Sequence, residues 1–306
     1  MPITMPPALS DVDKTKPGWV TEALNARMQQ LVEEAPDLAE EYQSAQPFPH
    51  IALDNFLPLD VMDALHADFP QPDSDVWTKL PTDDQRGKWA ANDEARVPGG
   101  LRNLIAELNS STFLKFLERM TGIEELIVDA KMSGGGLHRI ERGGKLSVHL
   151  DFSHNPANKL NRRLNLLLYF NKDWKEDYGG ALELWHWGKD KADRRAEAKI
   201  YPIYNRCAIF STSPKSWHGH PEPLASPEGL GRQSLAMYYF SNGRPAEEEV
   251  EHNTLFRSTT DEATPLGTHL VRAASSGLMK DLMPPIAYKG LRRIWNQKSG
   301  SSQKEN

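Results

Sequence analysis

Residues 145–151 read Lys145-Leu146-Ser147-Val148-His149-Leu150-Asp151, and His218 follows 67 residues after Asp151 in the run Ser216-Trp217-His218-Gly219-His220-Pro221. The first run alternates polar and apolar side chains, the period of a half-buried β-strand rather than a helix. Residues i and i+2 of a strand project to the same face. His149 and Asp151 therefore face one way while Leu150 packs behind them. A histidine from a distant strand would complete a triangular donor face for one metal ion and leave three coordination positions open.

Outward from these runs the chain divides by period. Residues 1–17 are rich in Pro and polar residues and read as a disordered N-terminus. In 18–125 the apolar residues fall mostly at helical spacing. Val20, Leu24, Met28, Leu31 and Val32 mark an amphipathic helix expected to end before Pro36. Pro47–Leu53 reads as a short strand, and Val61, Leu65 and Phe69 follow as one face of a helix opened by Pro58. Two more helices are expected near 99–109 and 111–121.

From 126 to 260 the period becomes 2. Strand-like runs occupy Leu126–Met132, Leu137–Arg139, Lys145–Leu150, Arg163–Asn171, Leu182–Trp187, Lys199–Tyr201, Arg206–Ser211, Trp217–Leu224 and Gln233–Ser241, separated by Gly, Pro, Asn and Asp. So many short strands predict a sandwich or barrel, with the preceding helices covering one sheet. Residues 261–306 read as a helical extension, split by Pro284-Pro285, with a disordered tail.

Composition excludes more than it assigns. The chain has 306 residues, 39% of them apolar, and a formal charge of -6, so nothing electrostatic points to nucleic acid. Its one cysteine, Cys207, rules out an internal disulfide and a thiolate zinc site, and fits a reducing compartment. No apolar run is long enough to cross a bilayer and no secretory signal is visible, so the expectation is a cytoplasmic protein without a membrane partner.

A two-histidine, one-carboxylate face is the donor set of non-haem Fe(II) oxygenases. Arg232, at the start of an apolar strand, could hold the distal carboxylate of a 2-oxo acid through paired charge-assisted bonds. Ser234 shares its face and could add a hydroxyl. Asn165 and Tyr169 alternate onto one face of the strand between the first and last candidate ligands. His218 and His220 both stand in reach of the third ligand position. His218 is preferred, because Gly219 follows it and eight residues separate it from Phe210. His220 then becomes a supporting or substrate-side residue.

Taken together, these stretches resemble the prolyl 4-hydroxylase-like branch of the Fe(II)/2-oxoglutarate-dependent dioxygenases. The matching residues are His149-Leu150-Asp151, Leu168-Tyr169-Phe170-Asn171-Lys172-Asp173-Trp174, Gly179-Gly180-Ala181-Leu182-Glu183-Leu184, Pro202, Asn205-Arg206, Phe210, His218-Gly219 and Arg232-Gln233-Ser234-Leu235-Ala236. The resemblance spans roughly residues 47–260 and implies a mainly β fold, a double-stranded β-helix (jelly-roll, cupin-like) core with flanking helices. It implies His149, Asp151 and His218 as catalytic iron ligands, Arg232 as the partner of 2-oxoglutarate and Tyr169 as a further co-substrate contact, while Ser234 and Asn165 stand as cofactor-binding candidates from their strand faces. The cofactors implied are Fe(II), 2-oxoglutarate and O2, with ascorbate as an optional reductant. The expected reaction is hydroxylation of an unactivated C–H bond in a small molecule or a prolyl or peptidyl substrate, releasing succinate and CO2. Two departures stand out: a long stretch between His218 and Arg232, and His138-Arg139 where relatives often place a tyrosine. The competing expectation is a non-catalytic jelly-roll protein that binds a small acid or acts as a sensor. The C-terminal extension could serve as a lid or as the contact of a homodimer.

Overall fold

A computed structural model describes residues 12–257, apart from positions 81, 189, 249 and 250. The expectations for residues 1–11 and for the C-terminal extension lie outside the described residues. Along the chain come α1 (Trp19–Ser44), β1 (His50–Leu53), α2 (Leu59–Ala67), β2 (Thr78–Lys79), β3 (Lys88–Ala91), α3 (Gly99–Leu108) and α4 (Ser111–Thr121). The strands then follow as β4 (Ile127–Val128), β5 (Gly136–Ile140), β6 (Leu146–Leu150), β7 (His154–Asn155), β8 (Leu160–Tyr169), β9 (Leu182–Trp187) and β10 (Arg194–Ile200). They end with β11 (Cys207–Ser211), β12 (Trp217–His220), β13 (Arg232–Ser241) and β14 (Leu255–Arg257).

The strands form two antiparallel sheets. The larger runs β1-β11-β8-β13-β5-β3-β2, with β4 on β13 and β7 on β8, and the smaller runs β10-β9-β12-β6-β14. Alternation along β8 explains the layering. Leu164, Leu166 and Leu168 are fully buried on the outer face, in one apolar cluster with residues of all four helices. Burying each such side chain stabilises by about 1.5–3 kcal/mol. Asn165, Leu167 and Tyr169 alternate with them and face the smaller sheet. Tyr169 joins Leu182, Leu184, Ala208 and Phe210 in a second cluster between the sheets. The result is the expected mainly β, helix-flanked double-stranded β-helix.

Several element bounds differ from those read in sequence. The helix expected to stop before Pro36 runs on to Ser44 with Pro36 inside it. Proline cannot donate to the carbonyl four residues back, that of Val32. In its place Arg119 of α4 donates Nη1 to that carbonyl at 3.3 Å. Beyond the proline, Tyr42 is wholly buried with its hydroxyl 2.7 Å from Ser211 Oγ, so tertiary packing outweighs the break.

The run expected over Leu126–Met132 is a strand only at Ile127–Val128. There Asp129 takes the backbone N–H groups of Lys131 and Ser133 on its carboxylate and turns the chain, an Asx turn. The run expected to reach Leu224 ends at His220, because Pro221 offers no N–H. In the N-terminal region β1 falls in the run read as a strand, whereas β2 and β3 had no counterpart in that reading; all three belong to the larger sheet.

Candidate metal centre

His149 on β6 and His218 on β12 are direct cross-strand partners, with ring centroids 4.3 Å apart. Between His218 and His220 the pairing slips by one residue, since His220 stands opposite Leu146. Gly219 lies at this irregularity. A Cβ there would sit 2.9 Å from the carbonyl oxygens of Leu146 and Ser147, so only glycine lets the two strands approach so closely.

Each histidine turns one nitrogen away from the site. Nδ1 of His149 donates to the carbonyl of Ser147 at 2.9 Å, and Nδ1 of His218 to that of Ser216 at 2.8 Å. That leaves both Nε2 lone pairs aimed inward, the tautomer a metal ligand requires. His149 Nε2 lies 3.6 Å from Asp151 Oδ1 and His218 Nε2 lies 3.4 Å from Asp151 Oδ2. One donor atom from each residue falls within 4.8 Å of the others. His149, Asp151 and His218 are thus brought together, while His220 is not part of the cluster.

Asp151 is held from the larger sheet. Asn165 Nδ2 donates to its Oδ2 at 2.7 Å, and Arg162 Nη2 lies 3.0 Å from the same oxygen. Arg162 Nε also donates to Asn165 Oδ1, and its guanidinium lies over the Tyr238 ring at 3.5 Å. Burial opposes charge on Asp151, but the Arg162 guanidinium beside it outweighs burial and holds the carboxyl well below its usual range. Burial, and then the neighbouring His218, push the His149 imidazole below its ordinary value and keep it neutral.

The triad opens into a cavity of about 170 Å³ that also receives Arg232, Ser234, His138, His220 and Lys88. Arg232 donates Nε to the Gly180 carbonyl at 2.8 Å and Nη2 to the Tyr169 hydroxyl at 3.2 Å. Gly180 has φ +71, and a side chain there would also press on Leu224 and Arg232. Ser234 is 1% exposed and its hydroxyl has no partner among the described residues. Two expected co-substrate contacts are placed differently. Tyr169 lies behind Arg232, outside the cavity lining, and Asn165 spends its amide on Asp151.

Residues 135–240 match the family model of the 2OG-Fe(II) oxygenase superfamily. The likeness to that superfamily lies in this segment. The chain is 25% identical over 201 residues to a curated relative, the mouse (Mus musculus) prolyl 3-hydroxylase OGFOD1, covering 63% of this chain and 33% of that protein. The chain thus spans about a third of the relative's length. Among solved structures, a Pseudomonas putida prolyl-4-hydroxylase is 16% identical, with a TM-score of 0.44 over 68% of this chain and 99% of its own. HygX from Streptomyces hygroscopicus, with nickel and 2-oxoglutarate bound, is 8% identical, with a TM-score of 0.47 over 72% and 96%.

The site fits the two groups in the name of the matching family, 2-oxoglutarate and Fe(II). Two imidazoles with Nε2 turned inward and an ionised carboxylate suit a ferrous ion. The Arg232 guanidinium and the unpartnered Ser234 hydroxyl suit a carboxylate. Sequence reading passed over Arg162 and Lys88. Strict alternation from Asn165 points Arg163 inward, but β8 carries an extra residue opposite Tyr239 and Phe240, which turns Arg162 in instead. Lys88 stands on a four-residue strand with no clear period, and only pairing with β5 directs it to the cavity.

Proposed function

We propose that the chain is an Fe(II)- and 2-oxoglutarate-dependent oxygenase that hydroxylates an unactivated C–H bond. One observation carries this reading: two imidazole Nε2 atoms and a buried carboxylate converge at one end of a cavity that also holds Arg232. The metal, 2-oxoglutarate and O2 would together supply the oxidising power, with succinate and CO2 released. His149, Asp151 and His218 would hold the metal, and the two backbone carbonyls on Nδ1 fix the ring orientations. Arg232 and Ser234 would bind the distal carboxylate, while Tyr169 and the Gly180 carbonyl steady the guanidinium from behind. Phe256, stacked on His149 with centroids 5.2 Å apart, and Phe152 and Phe210 keep bulk water from the donors.

A prolyl residue, free or in a peptide, is the first substrate class to test, supported by the name of the curated relative. A cytoplasmic location and ascorbate as a reductant belong to the same proposal. A non-catalytic acid-binding protein is not favoured, since holding an acid needs Arg232 but no three-donor face.

Anaerobic addition of Fe(II) and then 2-oxoglutarate should give a visible charge-transfer band, and air should then yield succinate. Asp151→Ala should abolish both, and full succinate production by that variant would overturn the ligand assignment.

A further inference from the structure

We propose that Lys88 recognises a carboxylate on the primary substrate, at an anion position in the cavity separate from the Arg232–Ser234 pair. The proposal rests on the oxygenase reading, which gives Arg232 to the co-substrate. Strand register separates the two positions. Lys88 on β3 and Arg232 on β13 are both direct partners of Ile140 on β5. Direct partners point to one face, and two strand spacings put the backbones about 10 Å apart. Both side chains line the cavity.

The Lys88 ammonium has no ion pair or hydrogen bond among the described residues. Its neighbour His220 is 3% exposed, lines the same cavity, and has no partner among the described residues for either ring nitrogen. Burying such a ring costs stability unless a ligand bonds to it. Charge points to the kind of ligand. Among the described residues, the charged groups that line the cavity are Lys88, Arg162 and Arg232 against the single carboxylate of Asp151. A divalent metal and a doubly negative 2-oxo acid cancel each other, so the loaded cavity keeps its positive excess. A second anion would relieve it. Because the cavity of about 170 Å³ must also take the co-substrate, a carboxylate suits it better than a bulkier phosphate.

The test uses the full chain loaded with Mn(II) and 2-oxoglutarate under nitrogen, so that binding is read without turnover. Calorimetry would compare N-acetyl-L-proline with N-acetyl-L-prolinamide, and the matching acid and amide pairs of leucine and glycine. Wild type should prefer the acid in at least one pair by about tenfold, the effect of one charge-assisted hydrogen bond. Lys88→Met should lose that preference, Lys88→Arg should keep it, and both should bind 2-oxoglutarate within about twofold of wild type. The proposal is overturned if wild type shows no acid preference, or if Lys88→Met retains it. A weakening of 2-oxoglutarate binding by about tenfold or more in Lys88→Met would also overturn it, by assigning Lys88 to the co-substrate. Failure of wild type to bind 2-oxoglutarate with Mn(II) would instead sink the oxygenase reading.

Discussion

Asp151 keeps its charge in a buried position because Asn165 and Arg162 both serve one of its oxygens, leaving the other turned toward His149. Such supporting contacts set how well a carboxylate binds metal. Asn165→Ala should therefore weaken Mn(II) binding by about 10–100-fold with the fold retained, as isothermal titration would show. Lys88 presents the opposite balance. Burial, only partly offset by Asp151 and reinforced by Arg232 and Arg162, lowers its amine from 10.5 to about 8. His138 and His220 face the same space, and burial holds both well below the usual histidine range, so they stay neutral near pH 8.

A folded-state value below the unfolded one means that protonated Lys88 costs stability, fully below about pH 8 and not at all above about 10.5. Lys88→Met should therefore raise the unfolding free energy at pH 7. The gain has an upper bound of about 3 kcal/mol, and solvent reaching the half-buried amine makes it smaller. Urea denaturation should find the gain shrinking between pH 8 and 10.5, and a Met variant less stable than wild type at pH 7 would contradict this account.

At the scale of elements, two irregularities build the site. The slip between β6 and β12 lets His149 and His218 stand opposite each other while Gly219 lies against the facing backbone. Gly219→Ala should push these strands apart, costing about 1–3 kcal/mol as an overpacked site does. It should weaken metal binding in parallel, and thermal melts with and without Mn(II) would report both. The extra residue in β8 has the other decisive effect, since it brings Arg162 rather than Arg163 onto Asp151. Neither irregularity has a residue signature beyond one glycine, which is why an alternation count through 160–165 selects the wrong arginine.

Across the whole molecule, the helices and the β core depend on each other. The outer face of the larger sheet carries Leu137, Leu164, Leu166, Leu168, Leu235 and Met237, all buried against residues of α1–α4. A fragment of residues 126–257 alone would expose that face as an apolar patch and lose β3, the strand that carries Lys88. It should be insoluble or bind the dye ANS strongly. A soluble, cooperatively melting fragment would show that the helical layer is dispensable.

The order of helices and strands, the inward face of β8 and the i, i+2 pair His149 and Asp151 all follow from local periodicity, which needs no knowledge of neighbours. So does the distinction of Arg232 as a cation opening an apolar strand. Gly219 and the spacing from Phe210 already favour His218 over His220, but both lie on one strand, and tertiary pairing alone brought His218 to His149 and Asp151. It alone also put Tyr169 behind Arg232, carried α1 through Pro36 and brought Lys88 into the cavity. Each of these depends on contacts between residues far apart in the chain, and a side chain's direction there is set by the strand or helix packed against it.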